Sequence, residues 1–165
     1  MPQKRERVII VGFRKDLNVE FDFPEAVVDS PEKYVPLAKV IDSDVDDKYF
    51  FSQKAVDGMM RNRESMNKGR AQNVDEPCNT VGAHLAKVSL NSTDPVLMVD
   101  NKYRRFTPRE VARIQSFPET FKLTESEHAQ YKALGNAIPP VMFWYIMRSV
   151  KDSLNSEKKY ESITV

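Results

Sequence analysis

The chain has 165 residues, a formal net charge of +1, and 41% apolar content with nine Phe, six Tyr and one Trp, enough for one packed domain or one domain with an appendage. A single cysteine, Cys78, excludes an intrachain disulfide and a cysteine-rich zinc site, and His84 and His128 form no ligand pattern, so no metal is expected. No apolar run approaches the ~20 residues of a membrane span and no signal pattern opens the chain, which predicts a soluble cytoplasmic or nuclear protein with no membrane partner.

Val8, Ile9, Ile10, Val11 and Gly12 predict a buried strand over about 7–13, and the i, i+2 spacing of Arg5 and Arg7 just before it puts both on one face. The following stretch is broken by Pro24, Pro31 and Pro36 and reads as a connector. Asp42, Asp44 and Asp46 imitate the start of a calcium loop, but Asp47 and Gln53 stand where that loop needs Gly and Glu, so calcium is rejected. A short helix is expected next, with Ala55, Met59 and Met60 on its apolar side. Charge is unevenly spread: residues 19–47 are acidic, with Lys33 and Lys39 their only cations, whereas Lys54, Arg61, Arg63, Lys68 and Arg70 follow closely. Such a basic stretch is either a solvated face or a phosphate footprint.

From about 70 to 100, β-favouring runs alternate with Asn, Ser, Thr, Asp and Pro and predict extended chain. Thr107, Pro108 and Glu110 then form a capping box with proline at the first helical position, followed by Val111, Ile114 and Phe117 at helical spacing. Thr124 and Glu127 predict a second helix start, with Gly135 where that helix would stop. A last helix begins on Pro139–Pro140, with Phe143, Ile146, Met147, Val150 and Leu154 on one side, and the end of the chain reads as a frayed tail.

Three stretches, "PQKRERVIIVGFR", "YRRFTPREVARIQSFPETF" and "YKALGNAIPP", resemble in order the last three signature motifs of the cytosine-C5 DNA methyltransferases. The resemblance covers nearly the whole chain. It implies an α/β fold: the C-terminal part of a Rossmann-like S-adenosylmethionine-dependent methyltransferase plus a small, largely β target-recognition domain. Residues 1–18 would then supply the terminal strand or strands of the catalytic domain and 19–49 a connector. Residues 50–120 would form the target-recognition region including the TPRE helix, 121–154 the closing helices that return to the catalytic domain, and 155–165 the tail.

Enzymes of that family flip the target cytosine out of double-stranded DNA, because C5 cannot be reached inside the stack. A thiolate attacks C6, and negative charge develops on the ring and O2, where a guanidinium would stabilise it. The family's paired arginines match Arg5 and Arg7, with Arg7 as the O2 contact and Arg5 as a supporting or backbone-contacting group. On their own the two would read as surface arginines of an edge strand. Gly135, Asn136 and Ala137 match cofactor-contacting positions; on their own they would read as a helix cap and turn. Arg105, Arg109 and Arg113, spaced i, i+4, i+8, match architectural arginines that tie backbone and acids together. "EPCNTVGAH" resembles the recognition-domain signature, which places Thr80 and Val81 on it and Gly82, Ala83 and His84 near DNA. Arg61, Arg63, Lys68 and Arg70 are candidates for phosphate or guanine contacts.

Pro77–Cys78 imitates the family's nucleophile dipeptide, but that dipeptide precedes the arginine strand and Cys78 follows it, so Cys78 is not expected to be the nucleophile. The family's glycine-bearing cofactor motif, nucleophile loop and Glu-Asn-Val motif have no counterpart in the sequence. The expectation is a C-terminal segment of a DNA (cytosine-5-)-methyltransferase, inactive alone, whose main S-adenosylmethionine pocket lies on an N-terminal catalytic part supplied in cis or as a separate chain. Open alternatives are a subunit of a split enzyme, a DNA-binding module without catalysis, and an RNA-directed relative. Localisation would be cytoplasmic and nucleoid-associated in a bacterium, nuclear in a eukaryote.

Overall fold

The N-terminus pairs with the middle of the chain: β1 (Gln3–Lys4) runs parallel to β2 (Cys78–Asn79), with Gln3 opposite Cys78 and Lys4 opposite Asn79. The computed structural model describes residues 1–26, 30–61, 71–86 and 94–161. The expected strand over 7–13 is not formed; the strand lies earlier. A strand needs a neighbour at hydrogen-bonding distance, and Val8 and Ile10 instead stand 91% and 90% exposed with no described strand beside them.

A second pair, β3 (Leu97–Val99) and β4 (Lys102–Arg104), is antiparallel, with Leu97 opposite Arg104. Its two-residue turn has Asp100 and Asn101 both at positive φ (49° and 61°). That is the mirror-image turn whose twist suits a hairpin, and Asp and Asn tolerate it better than other side-chain-bearing residues. Isolated bridges join Phe50 to Arg104 and Ala71 to Val96. Among the described residues the region 50–120 therefore carries less strand than expected, in pieces of two or three residues.

Among the described residues, four α-helices complete the mixed α/β architecture: α1 (Gln53–Arg61), α2 (Pro108–Ile114), α3 (Glu127–Asn136) and α4 (Pro140–Glu161). In α2 the expected capping box is present, with the Thr107 hydroxyl accepting from the Glu110 amide at 3.2 Å and the Glu110 carboxylate accepting from the Thr107 amide at 2.7 Å. The start of α3 differs from expectation. Ser126, not Thr124, is the cap, accepting from the Ala129 amide at 3.4 Å. Glu127 is thereby released to pair with Lys48 at 2.9 Å and Arg105 at 3.1 Å. Gly135 also lies inside α3 and not beyond it. Helix α4 begins at Pro140 as expected and extends to Glu161, past the end expected at Leu154. Ile146 is buried, but Phe143 and Met147 on the same side are exposed, because no described element covers them.

The core is a cluster of Leu37, Val81, Leu97, Phe106, Val111, Ile114, Tyr131 and their neighbours. Through it runs a buried ion pair. Arg104 donates to both carboxylate oxygens of Glu110, at 2.8 and 2.7 Å, and both side chains are sealed from solvent. The carboxylate also accepts from the Asp42 amide at 2.8 Å, and Arg104 donates to the Asp42 carbonyl at 3.3 Å. One charge pair thus fastens the connector, β4 and α2 together.

Candidate active site

β1 continues into Arg5, whose guanidinium is held among three carbonyls. It donates to Val81 at 3.1 Å, to Gly135 at 3.1 Å and to Ala137 at 3.1 Å. Burial, and then the charge of Arg7, lower its proton affinity from the ordinary arginine value, yet a guanidinium stays protonated in any protein. Arg7, two residues on, is exposed and donates to the Glu6 carbonyl at 2.6 Å. The two arginines border two adjoining cavities. One, about 290 Å³, is lined by Arg5, Arg7, Val8, Asn136, Ala137 and Phe143 among others. The other, about 390 Å³, is lined by Lys4, Arg5, Glu6, Arg7 and Thr80.

The structure therefore brings Arg5, Arg7, Thr80, Asn136 and Ala137 to one place. Thr80 donates its hydroxyl to the Lys4 carbonyl at 2.7 Å, which fixes the signature segment against β1. Asn136, the last residue of α3, is exposed, and Ala137 caps that helix in extended conformation. Gly135 supplies a close approach: a Cβ there would collide with the backbone of Gly82 and Ala83. Gly135→Ala gains about 1 kcal/mol of helix propensity and incurs about 1–3 kcal/mol of overpacking. Because the obstacle is backbone, which cannot rotate away, the collision wins. The variant is expected to be less stable, by up to about 2 kcal/mol in urea denaturation, the difference of those two effects. Equal or greater stability would show that the contact is dispensable.

Gln3 and Gln115 are site residues that sequence reasoning missed. Buried Gln3 donates to the side-chain oxygen of Gln115 at 2.7 Å and to the Ile114 carbonyl at 3.3 Å, and Gln115 donates to the Leu134 carbonyl at 2.6 Å. The usable signal was spacing: Gln3, Arg5 and Arg7 alternate along one extended segment.

Other candidates lie elsewhere. His84 is exposed in the turn after Val81. Arg61 ends α1, while Arg63, Lys68 and Arg70 fall outside the described residues. Arg105 reaches Glu127 and lies over the Tyr49 ring, and Arg109 donates to the Phe121 carbonyl at 2.9 Å. Arg113 pairs with Asp42 and Glu119, at 2.7 Å each. None of these three lines the two cavities.

Cys78 is buried in the core, and burial pushes its thiol up to about 12. A nucleophile needs thiolate. At pH 8 a small thiol reagent is expected to leave Cys78 unmodified in the folded chain and to modify it fully in denaturant. Rapid labelling without denaturant would contradict that burial.

Residues 1–152 match the family model described as C-5 cytosine-specific DNA methylase. The type II methyltransferase M.FnuDI of Fusobacterium nucleatum is 32% identical, over 95% of this chain and 53% of its own length. M1.ScrFI of Lactococcus lactis subsp. cremoris is 34% identical, over 96% of this chain and 42% of its own. The chain thus spans about half the length of these curated relatives. Among solved structures, the S. pombe Dnmt2 methyltransferase superposes with a TM-score of 0.62 at 19% identity, covering 78% of this chain and 44% of that one. The Entamoeba histolytica methyltransferase EhMeth superposes with a TM-score of 0.58 at 17% identity, covering 81% and 45%.

Proposed function

The chain belongs to the C-5 cytosine-specific DNA methylase family, and on that premise we propose that it is the C-terminal segment of a DNA (cytosine-5-)-methyltransferase. It reads duplex DNA and completes the pocket that holds a flipped cytosine. The observation that carries this reading is the Arg5 guanidinium, which joins the N-terminal segment, the Thr80–Val81 segment and the Gly135–Ala137 turn beside the cavities to which Arg7 is exposed.

Within that pocket Arg7 faces cytosine O2. As a thiolate from the N-terminal catalytic part adds to C6, electron density moves onto the ring and O2, and the Arg7 guanidinium stabilises it there. Arg5 keeps its donors on backbone and positions the segment that carries Arg7. S-adenosylmethionine, when bound, supplies the methyl group. The exposed Asn136 side chain and the Ala137 backbone suit its polar amino-acid end, while the glycine-bearing loop that would enclose the rest has no counterpart here. Thr80, Gly82, Ala83 and His84 lie toward DNA, with Arg61, Arg63, Lys68 and Arg70 on its phosphates or guanines.

With the nucleophile and main cofactor motifs absent from this sequence, the purified chain is expected to transfer no labelled methyl group to duplex DNA. Transfer is expected once an N-terminal catalytic part is fused to it or mixed with it. Activity of the chain alone, or none in the assembly, would overturn the reading, and transfer to tRNA in place of DNA would redirect it to RNA.

A further inference from the structure

Gln3 and Arg5 hold two distant backbone segments at once. Arg5 binds the Val81 carbonyl on one side and the Gly135 and Ala137 carbonyls on the other. Gln3 accepts from the Val81 amide at 3.5 Å and, through Gln115, reaches the Leu134 carbonyl. Val81 is therefore gripped through both its amide and its carbonyl. At the end of α3, where helix geometry leaves carbonyls without intrahelical partners, the Gly135 carbonyl is met by Arg5 and the Leu134 carbonyl by Gln115 and the Ala137 amide. Gly135 seated directly on Gly82 and Ala83 closes the gap between the segments, and Thr80 bonded to Lys4 ties the outer edge.

Residues 80–83 and 134–137 consequently cannot shift against one another without breaking bonds at Arg5. We propose that Arg5 is a positioning residue that couples cofactor binding to DNA reading. This rests on the functional reading above, in which 80–83 face DNA and 135–137 face S-adenosylmethionine. A ligand that settles the Asn136–Ala137 turn fixes the two carbonyls beside it. The rigid fork of Arg5 passes that order to Val81 and the DNA-facing loop. Such coupling is reciprocal: DNA raises affinity for the cofactor by the same factor. The planar guanidinium is essential to it, because an ammonium group at this position cannot span three carbonyls in fixed directions.

The test uses the chain assembled with its N-terminal catalytic part, S-adenosylhomocysteine as a non-reacting probe, and a duplex chosen because the wild-type assembly methylates it. In wild type, saturating S-adenosylhomocysteine is expected to tighten duplex binding at least fivefold. In Arg5→Lys that ratio is expected to fall to within twofold of one, whatever happens to the separate affinities. A purely structural role would weaken both affinities and leave the ratio at its wild-type value, which would overturn the coupling. A wild-type ratio of one would overturn it as well. A wild-type assembly that methylates no duplex would sink the functional reading itself and the coupling with it. If Arg5→Lys fails to assemble, amide hydrogen exchange at Gly82 and Ala83 in wild type replaces it. Slowing of severalfold on adding S-adenosylhomocysteine without DNA supports the coupling, and unchanged exchange refutes it.

Discussion

Glu110→Gln is expected to destabilise the chain by about 3–5 kcal/mol, the usual result of removing one partner from a buried ion pair. Against a typical total of about 5–15 kcal/mol this takes away much of the folded state's margin. The cost comes from what remains. Arg104 would keep its charge at 1% exposure with no opposite charge in contact, and an amide offers only one acceptor oxygen to a fork now bound by two. That single oxygen would also have to serve the amides of Thr107 and Asp42, which the two carboxylate oxygens now share. The paired variant Arg104→Met/Glu110→Leu removes both charges. It is expected to lose less stability than the sum of the single replacements, since no orphaned charge is left. Urea denaturation followed by circular dichroism reads both. A Glu110→Gln variant within about 1 kcal/mol of wild type would mean that water reaches the pair and that the core is not sealed there.

The second large effect concerns turnover. In the assembled methyltransferase, Arg7→Ala is expected to lower kcat by on the order of 10²–10³, the scale set by removing one preorganised donor from a developing negative charge. Arg7 is exposed and hydrogen-bonded to the Glu6 carbonyl, so its loss leaves the fold intact and the melting temperature nearly unchanged. Duplex affinity should move little, because the interaction strengthens as charge builds on the ring. Arg7→Lys should recover only part of the rate, since the ammonium is a point charge without the planar fork. Single-turnover methyl transfer with saturating duplex separates this from weakened binding. A variant whose rate matches wild type would remove Arg7 from the chemistry.

Local signals in the sequence were legible where a side chain acts on its own neighbourhood. The capping box at Thr107–Glu110 and the proline start of α4 are decided within a few residues, and both stand where the pattern puts them. Signals that depend on distant partners were harder to read. Val8–Val11 has the composition of a buried strand, but a strand forms only against a neighbour, and pairing falls instead at Gln3–Lys4. Glu110 looked complete as a cap, which hid its bond to Arg104. The clue lay in period-2 alternation: Arg104 and Phe106 share the inward side of an extended segment, while Arg105 between them reaches out to Glu127. The family motifs drew attention to Arg5 and Arg7, yet only three-dimensional contacts reveal that Arg5 faces backbone and Gln115 completes the link to α3.

The short bridges around α1 and β3 bear on how this protein tolerates variation. The chain leaves the core at Phe51, whose amide donates to the Tyr103 carbonyl at 2.9 Å, and is fastened again at Ala71–Gln72, where Gln72 donates to Val96 at 2.9 Å. Both attachment points are main-chain bonds to the same hairpin neighbourhood, so they make no demand on the identity of the residues strung between them. Loop-closure entropy rises only by about 0.6 kcal/mol for each doubling of length. Changes of length between the two anchors are therefore expected to cost the ion-paired frame little stability.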